Sequence, residues 1–136
     1  MSLFEKMEGF IGKEMTDAST IVASIDGDVF TYGIVVEFSS RFLIFKAEPD
    51  TDTISVHESR DLVEWLEGQS VSDALSLEPC DFLATFKGKL LTNVWQCQSG
   101  DNYTDAIDFG FGDLSFPNLK LFCITSELHV LSIAPA

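Results

Sequence analysis

Phe30, Tyr32, Ile34, Val36 and Phe38 stand at every second position of one uninterrupted run. A helix would scatter such residues around its circumference, whereas an extended strand puts all five on one face. The run therefore demands a sheet, and its surroundings supply the partners. Thr20–Ile25 precedes it across Asp26-Gly27-Asp28, and Asp-Gly is a hairpin signal. Ser39-Ser40 separates it from Arg41–Ala47, and Pro49-Asp50-Thr51-Asp52 reads as a turn before a fourth strand at Thr53–His57. Each connection is too short for a crossover helix, so the pattern predicts an antiparallel meander.

The last third returns to this period. Leu90–Cys97 and Tyr103–Phe111 flank a short hairpin loop, Gln98 to Asn102. Tyr103, Ile107, Phe109 and Phe111 share one face, while Leu119–Thr125 and Leu128–Ile133 form a final pair around Ser126-Glu127. Helical spacing occurs at the N-terminus, where Leu3, Phe4, Met7, Phe10 and Ile11 make one stripe, Ser2 and Glu5 a capping box, and Gly12 a stop. In the middle, Ser59 can cap a helix over Arg60–Glu67 ended by Gly68, with Leu62, Val63 and Leu66 inward. Ser70–Leu77 reads as further helical turns before Pro79.

No repeat, linker or low-complexity tract divides the 136 residues, and 46% apolar content with twelve Phe is enough for a core. One domain over residues 1–136 is expected. The fold class implied is α+β: an N-terminal helix with a strongly bent, mainly antiparallel sheet of about seven to eight strands, curling toward a barrel.

Charge narrows the partners. Residues 48–81 hold ten acids against Arg60 alone, a net of −9 out of the chain's −14. Nucleic acid and anionic membrane are excluded as partners, because each phosphate contact needs a Lys or Arg and the chain has only eight. A basic protein is the natural counterpart. Cys80, Cys97 and Cys123 are odd in number and lack C-x-x-C spacing, so neither a disulfide framework nor a zinc site is indicated. A reducing compartment follows, and with no early apolar run resembling a signal peptide the expectation is a cytoplasmic protein.

No pattern calls for a cofactor. His57-Glu58 lacks the second histidine of H-E-x-x-H, and His129 has no ligand spacing around it. Asp26-Gly27-Asp28 and Asp50-Thr51-Asp52 supply too few oxygens for calcium and read as turns. Gly110-Phe111-Gly112 lacks the third glycine of a nucleotide loop, and no serine sits in G-x-S-x-G. Catalytic and metal-binding residues are accordingly not assigned.

Two groups of residues stand out. Glu58, Asp61, Glu64 and Glu67 surround Trp65, the composition of an aromatic contact ringed by charge; the plainer reading makes Trp65 a lid on the core and the acids a solvated face. Asp105 has the parity of Tyr103, Ile107 and Phe109, which aims a carboxylate at the core side near Trp95. That is either a general acid or base beside a pocket, or a carboxylate satisfied by loop amides or a lysine.

At Phe86-x-Gly88-Lys89-x5-Trp95, Asn102-Tyr103-x-Asp105 and Thr125-Ser126-Glu127-Leu128-x-Val130 the chain resembles a small uncharacterised bacterial family of acidic α+β proteins. In outline it is similar to immunity proteins of bacterial toxin systems. The resemblance implies an antiparallel α+β domain with toxin neutralisation as its role, and carries no catalytic residue. Three functions are therefore expected to compete. The first is a non-enzymatic module of immunity or inhibitor type that captures a basic partner through Glu58, Asp61, Glu64, Trp65 and Glu67. The second is a small-ligand-binding or hydrolytic protein with a pocket near Trp95, Tyr103 and Asp105. The third is a structural homodimer, joined through a sheet edge or an aromatic face.

Overall fold

The computed structural model of the chain describes residues 3–48, 51, 53–98, 104–112, 119–124 and 127–132. The alternating run becomes β2 (Asp28–Phe38), the centre of an antiparallel sheet. Its companions are β1 (Asp17–Ile25), β3 (Arg41–Glu48), β4 (Thr53–Ser59) and β5 (Leu75–Pro79), in the order β4-β3-β2-β1-β5. A second antiparallel sheet holds β6 (Leu91–Gln98), β7 (Thr104–Phe111), β8 (Leu119–Ile124) and β9 (Glu127–Ser132) in sequence order. The helices are short: α1 (Leu3–Glu8), α2 (Leu62–Glu67) and α3 (Asp81–Ala84).

The antiparallel meanders are as the spacing predicts, but the architecture differs from a single bent sheet. Among the described residues nine strands form two separate sheets, neither closes into a barrel, and the protein is mostly β. The two sheets share one core. Ile34, Val36 and Phe38 of β2, Leu43 and Phe45 of β3, and Ile54 and Val56 of β4 meet Ile107, Phe109 and Phe111 of β7 and Leu119 and Leu121 of β8. Burying each such side chain contributes about 1.5–3 kcal/mol. The Phe45 and Phe109 rings meet edge to face across the sheets, 5.4 Å between centroids.

α1 ends at Glu8, short of the expected stop at Gly12. Its stripe is nonetheless used: Met7 and Phe10 are fully buried. The strap that follows is pinned to the second sheet by Gly12 N–H to the Leu91 carbonyl (2.7 Å) and Leu91 N–H to Lys13 (2.9 Å).

Three further expectations are corrected. Ser70–Leu77 is not helical beyond a single 3-10 turn at Ser72–Ala74; from Leu75 the chain is β5, paired with β1 from Ser19↔Pro79 to Ala23↔Leu75. The unpaired edge of β1 outweighs the weak helical preference of a Ser-rich segment. The α2 cap is Asp61, whose carboxylate accepts from Glu64 N–H at 3.0 Å, rather than Ser59. Val63, expected inward, is 61% exposed.

The run in β2 does not bury a single face either. Ile21 pairs with Gly33 but Val22 with Thr31, leaving Tyr32 as the extra residue of a bulge. Tyr32 consequently packs with Ile21, Val35 and Ile44 on the outer side of the sheet, away from Ile34, Val36 and Phe38.

Candidate functional site

That outer side is where α2 lies. Leu62, Trp65 and Leu66 pack onto Ile21, Val35 and Ile44, with Tyr32, Phe42 and Leu75 around them. The chain from β4 to β5 thus crosses the face of the five-stranded sheet from one edge strand to the other. The orientation of its side chains follows from the 3.6-residue period. With Leu62, Trp65 and Leu66 down, Val63, Glu64 and Glu67 must point up, and all three are exposed. Asp61 and Asp73 are exposed on the same crossover. Among the described residues, neither Glu64 nor Glu67 enters an ion pair.

Glu58 lies elsewhere. It shares the parity of Ile54 and Val56, on the opposite side of β4 from α2, and its carboxylate is bound by the Arg41 guanidinium. Arg41 in turn sits 4.7 Å above the Phe10 ring. The structure therefore groups Asp61, Glu64 and Glu67 and separates Glu58 from them. Trp65 is half-buried, with its indole 5.6 Å from the His57 imidazole.

Beneath α2, β4 carries a polar chain. Ser55 Oγ donates to Glu48 Oε1 at 2.6 Å and lies 2.9 Å from His57 Nε2. The hydroxyl proton is committed to the carboxylate, so His57 is the donor in the second bond. This is the reverse of the order that activates a serine, where the imidazole accepts the hydroxyl proton. Burial holds the His57 pKa below the ordinary imidazole value, and the nearby Lys6 ammonium pushes the same way, against Glu48. The chain Glu48–Ser55–His57 is thus built to keep a neutral imidazole in place. Among the described residues no group of three or more His, Cys, Asp or Glu could hold a metal ion.

Trp95 is half-buried on β6, paired with Asp108, and that row continues through Lys120 to Leu131. Their neighbours of opposite parity, Val94, Phe109, Leu119 and Leu121, are in the core, so the row faces outward on the second sheet. Tyr103 and the side chain of Asp105 lie outside the described residues; the Asp105 backbone falls at the shift between Cys97↔Ala106 and Gln98↔Thr104. A cavity of about 290 Å³ opens between the segment after α2 and the five-stranded sheet, bordered by Tyr32, Lys46 and Val71. Nothing in sequence joins positions 32, 46 and 71; only the outward parity of Lys46, beside Ile44, hinted that it leaves the main core.

The whole chain, residues 1–136, matches the model of a family of unknown function, DUF6334. The chain belongs to that family. No curated protein and no solved structure matches it. This DUF6334 protein has, among its described residues, no helix long and apolar enough to cross a membrane.

Proposed function

We propose that this DUF6334 protein is a non-enzymatic, acidic binding module of immunity or inhibitor type, and that it captures a basic protein on the outward face of α2. The single observation behind this reading is the composition of that face: Val63 and the carboxylates of Glu64 and Glu67, which make no ion pair among the described residues, with Asp61 and Asp73 beside them, all exposed. Leu62, Trp65 and Leu66 beneath pack the helix onto the sheet, and a preformed helix lowers the ordering cost of docking. Charge of one sign raises association from about 10⁵–10⁶ to 10⁸ M⁻¹s⁻¹ or more at low salt. A bacterial toxin of basic character fits the role, encountered in the cytoplasm, where a free thiol such as Cys80 persists.

The test is a pull-down at low and high salt with the wild type and with Asp61→Asn, Glu64→Gln, Glu67→Gln and Asp73→Asn combined. Asn preserves the α2 cap. A partner retained at low salt by the wild type alone, and lost at high salt, supports the reading; equal retention by the quadruple variant overturns it.

A second reading, a homodimer, has its own observation. The outer face of the four-stranded sheet carries Trp95, Phe122 stacked on His129 (5.3 Å) and Leu131 at 51% exposure, around the mutually neutralising pair Asp108–Lys120. A chain of net −14 can meet its copy only where charge is balanced. Light scattering on the wild type and Leu131→Asp decides it: a dimer dissociated by the substitution supports it, and a monomeric wild type excludes it.

A further inference from the structure

The cavity between the segment after α2 and the five-stranded sheet has a consistent chemistry. Ile25, Phe30, Tyr32 and Val71 make its walls apolar, and Lys46 and Ser70 bring the donors. The Tyr32 hydroxyl is already engaged, donating to Gln69 Oε1 at 2.8 Å. Its volume, about 290 Å³, stands at the small end of ligand sites, which run from ~300 to 1,000 Å³.

Lys46 is the informative group. Among the described residues Lys46 makes no ion pair, and its ammonium sits over the Tyr32 ring, 5.2 Å from the centroid. The nearest carboxylate on its own strand face, Glu48, is bound to Ser55. A half-buried cation held by a Tyr ring face, with the adjacent acid engaged elsewhere, has donor capacity left for an anion from outside.

We propose that this cavity binds a compact aromatic carboxylate of one or two rings. The carboxylate sits on the Lys46 ammonium with the Ser70 hydroxyl as second donor, and the ring lies among Phe30, Tyr32 and Val71. The net charge of −14 does not forbid an anion here, because at physiological salt the distant acids are screened beyond about 8 Å while Lys46 is in contact. A long acyl chain exceeds the volume, and a cationic ligand meets Lys46 as a like charge. The site is independent of the outward face of α2 and would persist if no basic partner existed.

The experiment is calorimetric titration of the full chain with 2-naphthoate, its neutral isostere 2-naphthamide and the cation 2-naphthylmethylammonium. Naphthoate should bind more tightly than the amide, and the cation least. Lys46→Met keeps the aliphatic stem and should weaken naphthoate by about tenfold or more, the loss of one charge-assisted hydrogen bond, while leaving the amide unchanged. Lys46→Arg should keep most of the affinity, and Val71→Trp should weaken naphthoate and amide together by filling the space. No naphthoate binding to folded wild type, equal binding of acid and amide, or an unchanged affinity in Lys46→Met each overturns the proposal. The comparison of the three probes on the wild type stands even if a variant fails to fold.

Discussion

The His57 imidazole lies against the Trp65 indole with centroids 5.6 Å apart and planes tilted by 50°, joining edge strand β4 to the helix that covers it. Protonating that ring puts a charge beneath α2, close to the Lys6 and Lys46 ammonium groups. Because the folded pKa is held below that of the unfolded chain, the unfolded state binds the proton first as pH falls. Stability is therefore full above the ordinary imidazole value of about 6.5 and declines below it, through the lowered folded pKa. Urea midpoints measured between neutral and mildly acid pH should show this slope in the wild type. His57→Gln should be less stable at neutral pH and lack the slope; an identical pH dependence in both proteins would refute the assignment.

Gly33 owes its identity to space. A Cβ built there would stand 2.8 Å from the Phe45 carbonyl oxygen and 3.3 Å from Ile21 Cδ1. The oxygen belongs to the backbone of β3, so relief requires moving a strand. Gly33→Ala should destabilise by about 1–3 kcal/mol, the usual cost of overpacking, read as a lower urea midpoint with unchanged m. The same substitution at Gly9, where a Cβ meets nothing within 4 Å, should not reproduce that loss.

The β1–β2 hairpin was legible because its turn is local. Asp26 and Gly27 have φ of 52° and 86°, the left-handed pair that the Asp-Gly signal describes. The bulge at Tyr32 left no such trace, since the apolar alternation continues through it while the strand changes face. β5 was missed because Leu75 and Leu77 give only one period of alternation in an acidic, Ser-rich stretch, and what makes them a strand is the bare edge of β1. The outward acids of α2 followed from helical spacing. Glu58 could not be separated from them in sequence, because its partner Arg41 lies seventeen positions away on a neighbouring strand. The cavity is wholly tertiary: its walls come from β1, β2, β3 and the segment after α2.

Gly27 makes the hairpin testable. At φ 86° an L side chain is strained although the space around it is open. Gly27→Ala should cost about 1–2 kcal/mol, the left-handed penalty of a residue with a Cβ. Gly27→Asn, which tolerates this region better, should recover part of the loss in the same thermal melts. Equal stability of all three proteins would mean that the turn does not hold this conformation in solution.

Phe45 and Phe109 offer a direct measure of how firmly the two sheets are joined. Both are buried, and their rings cross at 82° in the edge-to-face arrangement. Phe45→Ala alone should cost about 3–5 kcal/mol, a large part of the ~5–15 kcal/mol that holds a domain together. Leucine is the better probe because it keeps most of the volume. In a cycle of Phe45→Leu, Phe109→Leu and the double variant, the coupling should be about 0.5–1.5 kcal/mol beyond additivity, the worth of an aromatic pair. Additive losses would show that each ring is stabilised by its own sheet and that the rings do not act as a pair across the core.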